Sequence, residues 1–251
     1  MWMALCSPWF AFGQALSSSR ADDHSVPANV HKLMRVYPDF IEGFSDNRLL
    51  FTDGSSLRYD DGAEKDFLTK LDRADVEDMF SVPYDTSSWT PSYLHDPGRI
   101  RCDSLFRKMY GNTQEKVRSH LVKVDWFGQK IPFTSLNGAA DSLRAVAADL
   151  MRLPAEYRKF LQKSSSFYWR KVRGADRLSA HSYGMTIDIC VQYSDFWLWA
   201  NPGKSEIDHI NYKNRIPKEI VRAFERHGFI SGVRWYHFDT MHFEFRPELL
   251  P

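Results

Sequence analysis

The sequence predicts an α+β fold in which a small antiparallel sheet is flanked by helices. Residues 184–193 and 233–245 are rich in aromatic and β-branched side chains of roughly alternating polarity, which is typical of strands. Helical patterns lie before and between these two segments. Strands in that order around helices favour one small sheet over a doubly wound arrangement.

The first half of the chain predicts local structure without an obvious catalytic cluster. Apolar residues in the segment 31–44 predict a helix followed by short strands. The Asp53-Gly54 turn signal lies between apolar flanks and predicts a hairpin over 49–61. The charged stretch 64–80 favours a further helix.

Two helices are predicted around the two strand segments. Asn137 is a candidate N-cap for a helix whose apolar residues recur at helical spacing, and Pro154 ends that helix. A second, shorter helix has Pro217 in its first turn and the pair His227-Gly228 at its end. We expect the first helix to be core scaffold and the second to pack beside the functional site.

These elements divide the chain into three regions. Residues 1–27 are either a signal peptide or a disordered extension, because their apolar stretch and small residues lack a basic start and contain Pro8. Residues 28–134 are expected to form a helical and hairpin region. Residues 135–251 are expected to form the catalytic domain.

Composition argues against several classes of function. The formal net charge is +1 over 251 residues, so nothing favours a nucleic acid or another polyion as a partner. No run of about 18 apolar residues occurs, and we expect no membrane-spanning segment. Cys6, Cys102 and Cys190 are too few and too scattered for a disulfide framework or a thiolate zinc site.

The stretch IDHINYKNR bears a superficial likeness to a metal-dependent nuclease motif. The residues that carry the likeness are Asp208, His209, Asn211 and Asn214. The paired cysteines that often accompany such sites are missing, and the next histidine, His227, falls in a helix signal. Because the chain also lacks a basic surplus for phosphates, we expect no nuclease and no nucleic-acid partner.

Two short blocks pair a histidine with a carboxylate. In SAHSYGMTID, a turn at Gly184 would let the side chains of His181 and Asp188 converge. In DTMH, Asp239 and His242 are three apart, so a strand end followed by one turn can direct both to one point. Two imidazoles and one carboxylate suit zinc and leave a fourth position for water, which a neighbouring carboxylate can deprotonate.

The same two blocks resemble a known family. SxHxxGxxxD followed downstream by (D/E)xxH is similar to the zinc D-alanyl-D-alanine carboxypeptidases, with VanY-like and VanX-like peptidases and L-alanyl-D-glutamate endopeptidases; the likeness covers roughly residues 165–247. It implies a fold like that of hedgehog and DD-peptidase domains and a peptidoglycan stem peptide as substrate. It also implies one zinc ion per chain, held by His181, Asp188 and His242, with Asp239 as catalytic acid/base.

The chain departs from the family pattern at two points. Asp239 stands where VanX-like dipeptidases have Glu, and this choice looks more like the endopeptidase branch. The first 160 residues match no family pattern that we can place.

The resemblance also implies residues that act on the substrate. Family members place an arginine upstream of the first zinc ligand, where it can stabilise the oxyanion of the intermediate. Arg170 is the best match, and Arg173 and Arg177 are the alternatives. Ser179 fits the family position whose hydroxyl helps to hold the substrate or the site.

Two further residues near the second block have open roles. His237 is expected on the same strand face as Asp239, either as a substrate-binding or intermediate-stabilising group or as a hydrogen-bonded strand residue. Glu244 either orients an imidazole or pairs with Arg246, and we favour the pairing.

Two functions are compatible with these residues. The first is a zinc metallopeptidase that hydrolyses an amide bond in peptidoglycan stem peptides, as a D-alanyl-D-alanine carboxypeptidase or an L-alanyl-D-glutamate endopeptidase. The second is a non-catalytic, zinc-containing cell-wall-binding protein on the same fold. Asp239 and Arg170 favour the first, because a binding module needs neither. A cell-wall substrate predicts a periplasmic, cell-envelope or secreted location.

Overall fold

The computed structural model describes residues 26–172 and 175–251. Residues 1–25 of the predicted signal or extension lie outside the described residues, and so does Arg173. Within the described ranges no helix is long and apolar enough to cross a membrane. Cys102 and Cys190 are buried as free thiols.

Short helices and two antiparallel sheets make up the first half of the described chain. In chain order these elements are α1 (Ala28–Val36), β1 (Ile41–Ser45), β2 (Arg48–Phe51), β3 (Ser56–Arg58), α2 (Phe67–Arg73), α3 (Asp103–Tyr110), α4 (Gln114–Arg118), β4 (Leu121–Trp126) and β5 (Gln129–Thr134). Strands β1, β2 and β3 form one sheet in that order, and β4 pairs with β5. The predicted hairpin is confirmed as β2–β3, where Gly54 supplies a positive φ of 79° in the turn.

Further helices and a third sheet make up the second half of the described chain. In chain order these elements are α5 (Ala139–Met151), β6 (Thr186–Asp188), α6 (Trp197–Ala200), α7 (Lys218–Glu225), β7 (Phe229–Ser231) and β8 (His242–Phe245). Both predicted helices are confirmed, as α5 and α7. Asn137 does not cap α5: Gly138 holds the N-cap position, while the Asn137 amide donates to the Tyr110 hydroxyl.

The third sheet has the strand order β6-β8-β7, with both pairs antiparallel, and the α+β class is confirmed. The second predicted strand is shorter than 233–245, because residues 235–241 run as a loop before β8. His237 and Asp239 therefore lie in this loop, and the expectation that they share a strand face is wrong. The loop folds back on itself, and the Asp239 N–H donates to the Gly232 carbonyl at 3.2 Å.

One hydrophobic core runs through both halves, with members from Val30 to Phe245. The ring of Phe224 on α7 stacks on Phe243 of β8, with 3.8 Å between centroids. Because side chains alternate along a strand, Phe243 faces this core while its neighbour His242 points to the other side of the sheet. The core thus anchors the strand that carries a predicted ligand. The domain boundary at residue 135 stays a prediction.

Candidate metal centre

The three predicted ligands converge at one edge of the third sheet. His181 lies on a 3₁₀ turn, Asp188 ends β6, and His242 begins β8. Nε2 of His181 lies 3.1 Å from one carboxylate oxygen of Asp188, and Nδ1 of His242 lies 3.1 Å from the other. One donor atom from each residue lies within 4.8 Å of the others. The strand register creates this cluster by placing Asp188 opposite His242.

A left-handed turn at Gly184 returns the chain from His181 into β6, as the sequence predicted. Gly184 has a φ of 68° and follows the 3₁₀ turn directly. A Cβ atom at this position would lie only 2.4 Å from Cδ2 of Leu121 on β4. A larger residue would therefore strain the backbone and clash with the neighbouring sheet.

A hydrogen bond on the far side of each imidazole orients the ring. Nδ1 of His181 lies 2.7 Å from the carbonyl oxygen of Ser166, which leaves Nε2 facing Asp188. Nε2 of His242 lies 3.3 Å from Oε2 of Glu244, which leaves Nδ1 facing Asp188. Metal-binding histidines commonly use their second nitrogen in this way.

Glu244 continues into a buried chain of charged groups. Arg246 donates to Glu244 at 3.0 Å and also to Glu248, which accepts from the Tyr37 hydroxyl of the C-terminal end of α1. Burial alone would raise the pKa of Glu244, but the hydrogen bond from His242 and the charge of Arg246 lower it to about 2. Glu244 therefore has both of the roles between which the sequence left a choice.

The pKa values of His242 and Asp188 indicate that this site favours a bound positive charge. Burial alone would lower the pKa of His242, but its hydrogen bonds to Asp188 and Glu244 outweigh burial and raise it to about 10. Burial would raise the pKa of Asp188, yet both histidines together hold it well below its ordinary value. A metal ion that binds here takes the place of a proton on these groups.

Asp239 lies beside the donors with an uncommitted carboxylate. Its Oδ1 is buried and has no hydrogen-bond partner among the described residues. Burial, followed by repulsion from Asp188, raises the pKa of Asp239 to about 6. A carboxyl group with a pKa near neutrality can accept and return a proton, as a general acid/base must.

Close backbone packing fixes the position of Asp239. A Cβ atom on Gly232 would lie 2.2 Å from the Asp239 carbonyl oxygen, so only glycine allows this approach. A bridge to Phe196 holds the Asp239 backbone from another direction. Sequence reasoning missed Gly232, whose only signal is a Ser-Gly pair after Phe229 and Ile230.

A cavity of about 400 Å³ opens onto the donors and Asp239. Arg170, Ser179 and His237 all line it, together with Arg177, the described alternative to Arg170. Arg170 is exposed, its guanidinium has no hydrogen bond within the described residues, and its carbonyl accepts from the Ser179 N–H at 2.9 Å. The fold brings these residues to one cavity, and their individual roles stay predictions.

His237 is held in this cavity by residues that sequence reasoning missed. Its Nδ1 lies 2.6 Å from Asp96, which also pairs with Arg99 at 3.1 Å. Arg99 in turn makes two hydrogen bonds to Glu206, at 2.8 and 2.7 Å. Because 141 residues separate Asp96 from His237, this contact cannot be predicted from a local sequence motif.

A second group of carboxylates surrounds Lys65 in the first half of the chain. The Lys65 ammonium lies 2.9 Å from Asp61, 2.9 Å from Asp75 and 2.6 Å from Asp78. Since the ammonium occupies the centre of the group, this cluster already contains its cation.

Two other regions carry no comparable chemistry. The nuclease-like stretch uses its polar groups to hold its own loop, since Asp208 accepts from Ser205 at 2.7 Å and the Asn211 N–H donates to Asn201 at 2.8 Å. A larger cavity, about 640 Å³, lies beside the β4–β5 turn, but no histidine or cysteine lines it. Neither region is therefore as good a candidate for the functional site as the cavity that contains His181.

The donor set fits a zinc ion. Tetrahedral bonds of about 2.0 Å place ligand atoms roughly 3.3 Å apart, which is close to the two 3.1 Å distances here. Two imidazoles and one carboxylate are typical of catalytic zinc, because they leave one position for water or substrate. The contacts from Ser166 and Glu244 supply the outer orientation that such a site requires.

Comparison with known families finds a match in the segment that contains these donors. Residues 173–245 match the family model described as D-alanyl-D-alanine carboxypeptidase, which confirms the resemblance and supports a peptidase. The match contains all three donors and Asp239, but it covers less than a third of the chain, and Arg170 lies just outside it. No curated protein and no solved structure matches the chain.

Proposed function

We propose, on the premise that residues 173–245 carry the D-alanyl-D-alanine carboxypeptidase pattern, that the protein is a zinc metallopeptidase acting on peptidoglycan stem peptides. The observation that carries the proposal is the convergence of His181, Asp188 and His242 beside the uncommitted carboxylate of Asp239. The bond cleaved is the terminal D-alanyl-D-alanine amide or the L-alanyl-D-glutamate amide. Such a substrate assigns the protein to the periplasm, the cell envelope or the exterior.

The residues that would hold the metal are already oriented for it. Nε2 of His181, the carboxylate of Asp188 and Nδ1 of His242 face one another, while Ser166 and Glu244 keep both rings from turning. When bound, zinc acidifies a coordinated water and polarises the scissile carbonyl.

Asp239 carries the proton in this proposal. Its Oδ1 accepts the proton of the attacking water and then returns it to the nitrogen of the leaving amine. The raised pKa of about 6 supports both transfers, because it lies between the carboxylate's ordinary value and neutrality.

Arg170 is proposed as the donor to the oxyanion that forms when water adds to the carbonyl. Its guanidinium is exposed in the cavity and makes no hydrogen bond or ion pair with another of the described residues. Ser179 and His237 line the same cavity and are proposed to hold the peptide.

Mass spectrometry of muropeptides before and after incubation with zinc-loaded protein tests the proposal and identifies the bond. We expect loss of a terminal D-alanine or cleavage at L-alanyl-D-glutamate, abolished by a chelator and restored by added zinc. Zinc-loaded protein that leaves every muropeptide intact contradicts the proposal and favours the non-catalytic cell-wall-binding alternative.

A further inference from the structure

His237 has one ring nitrogen that the described residues leave without a partner. Its Nδ1 lies 2.6 Å from Oδ2 of Asp96, whereas its Nε2 is buried and makes no hydrogen bond within the described ranges. The His237 ring also lines the cavity that contains His181, Asp239 and His242. A histidine with a purely structural role usually has both nitrogens paired when it is buried. The unpaired Nε2 therefore indicates a ligand that enters from the cavity.

Asp96 fixes both the backbone and the ring of His237. Oδ1 of Asp96 accepts from the His237 N–H at 2.9 Å, while Oδ2 faces Nδ1 of the ring. Both side chains are fully buried. Asp96 does not line the cavity, although His237 does. The carboxylate therefore acts on the ring from behind the cavity wall and does not reach a peptide in the cavity.

Aromatic rings fix the plane of the His237 imidazole. Trp197 and Tyr236 lie nearly perpendicular to it, with centroids 4.7 and 5.0 Å away, and Phe67 stacks on it at 5.9 Å. A rotation of the ring would move Nδ1 away from Asp96 against this packing. Nε2 is therefore the nitrogen that is left for a ligand.

Arg99 keeps Asp96 ionised and in place. It donates to Asp96 at 3.1 Å and makes two hydrogen bonds to Glu206, at 2.8 and 2.7 Å. Burial would raise the pKa of Asp96, but the charge of Arg99 and the hydrogen bond from His237 hold it below its ordinary value. Because an ionised carboxylate can only accept hydrogen bonds, Nδ1 of His237 must carry a proton.

We infer that Asp96 is a positioning residue, which fixes a proton on Nδ1 of His237 and thereby presents Nε2 to the peptide in the cavity. This inference rests on the proposed function, in which His237 holds the peptide. Asp96 and Arg99 lie outside the segment 173–245 that matches the family model, whereas the three metal donors lie inside it. The first half of the chain thus completes a site whose metal donors all come from the second half.

Nitrogen NMR of the histidine rings in zinc-loaded wild type tests the inference without relying on turnover. The His237 signals are assigned by their loss in His237→Gln. We expect Nδ1 of His237 to carry a proton in wild type, and we expect Asp96→Asn to give a mixture of the two neutral forms, because an asparagine amide can accept from Nδ1 or donate to it. A wild-type ring that carries its only proton on Nε2 overturns the inference, whether or not the Asp96→Asn protein folds.

A double-mutant cycle with muropeptides as substrates separates positioning from a general loss of structure. We expect Asp96→Asn to lower kcat about 100-fold while zinc content stays at one per chain. In a His237→Gln background, the same change should alter kcat less than about twofold, because Asp96 acts through His237. Wild-type kcat in folded Asp96→Asn, or an equal loss in both backgrounds, overturns the inference.

Asp78→Asn is the matched control, because Asp78 is also a buried carboxylate but does not line the cavity. We expect this variant to be less stable than wild type while it keeps the wild-type kcat and the wild-type His237 signals. A loss of kcat as large as that of Asp96→Asn would assign both losses to stability and overturn the positioning role.

The two proposals fail in distinguishable ways. Wild-type protein that has the expected proton on Nδ1 of His237 but hydrolyses no muropeptide contradicts the proposed function alone. Wild-type protein that hydrolyses muropeptides with the same kcat as folded Asp96→Asn contradicts the positioning role alone.

Discussion

Two clusters of charged side chains in this molecule, one around Lys65 and one around Asp188, differ in whether the chain supplies a cation to the carboxylates. In the lysine cluster, formed by Lys65 with Asp61, Asp75 and Asp78, the chain supplies its own cation from a side chain. The Lys65 ammonium lies between the carboxylates and occupies the place that a metal ion would need. The cluster joins loops of the first half. None of its four residues lines the cavity that contains His181, Asp188 and His242.

The candidate metal centre has no such lysine among the residues that the structure describes. His181, Asp188 and His242 face one another at the wall of an open cavity, with the Asp239 carboxylate beside them. A group of acidic residues alone therefore does not indicate a metal site. What distinguishes the two groups is the presence of oriented imidazoles and their position at the wall of a cavity.

The largest expected effect is on catalysis at the metal centre. Asp239→Asn removes the proton acceptor but none of the three donors, so kcat should fall about 1000-fold while one zinc per chain remains. Steady-state kinetics with muropeptides and metal analysis of the same preparation measure both quantities. Asp141→Asn, an exposed control on α5, should match wild type. Full activity in Asp239→Asn would rule out the proposed mechanism.

The next effect is on stability, at the lysine cluster. Lys65→Met removes the ammonium that the three carboxylates share and leaves only Asp78 with another, that of Lys70 at 3.2 Å. The Lys65 and Asp78 side chains are only 6% and 4% exposed. We expect the free energy of unfolding to fall by about 3 kcal/mol, measured by denaturant titration, with zinc content unchanged in the folded protein. Lys130→Met breaks an exposed pair with Asp125 and should change little. Equal stability of both variants would remove the contrast between the clusters.

A smaller effect is expected where Glu244 orients His242. Glu244→Gln keeps an oxygen that can accept from Nε2 but loses the negative charge, so zinc affinity should fall about 10-fold. Competition with a chromophoric chelator measures this change. If zinc affinity stays at the wild-type value, the contact at 3.3 Å has no role in holding the metal.

The smallest effect is a difference in acid sensitivity. Burial would raise the pKa of Asp78, but its hydrogen bonds from Lys65 and from the Asp75 N–H hold it below the ordinary value of 3.8. A carboxyl group with a lowered pKa contributes stability above its unfolded value and loses it as the pH falls through the folded value. Wild type should therefore lose more unfolding free energy than Lys65→Met below about pH 4. Parallel loss in the two proteins would contradict this assignment.

The convergence of the three candidate ligands was predictable from the sequence because each lies in a short block. His181, Gly184 and Asp188 fall within eight residues, and one turn suffices to bring their side chains together. Asp239 and His242 lie within four residues of each other. Such short spacing limits how far apart the side chains can lie, so the two blocks sufficed to predict that the candidate ligands lie together.

The cavity wall was not predictable because its contacts are distant in the chain. Asp96 reaches His237 across 141 residues, and Arg99 reaches Glu206 across 107. The alternating pattern over 233–245 also hid a loop, because buried loop residues such as Phe238 are as apolar as strand residues. Packing of Asp239 against Gly232, which no periodicity expresses, decides where that loop turns.

Metal analysis of the purified protein and of two variants tests whether His181, Asp188 and His242 bind zinc. We predict one zinc ion per chain in wild type and in Lys65→Met, and none in His242→Ala, with peptide hydrolysis lost only in the last. No bound zinc in wild type, or zinc that persists in His242→Ala, would contradict the assignment of the metal centre.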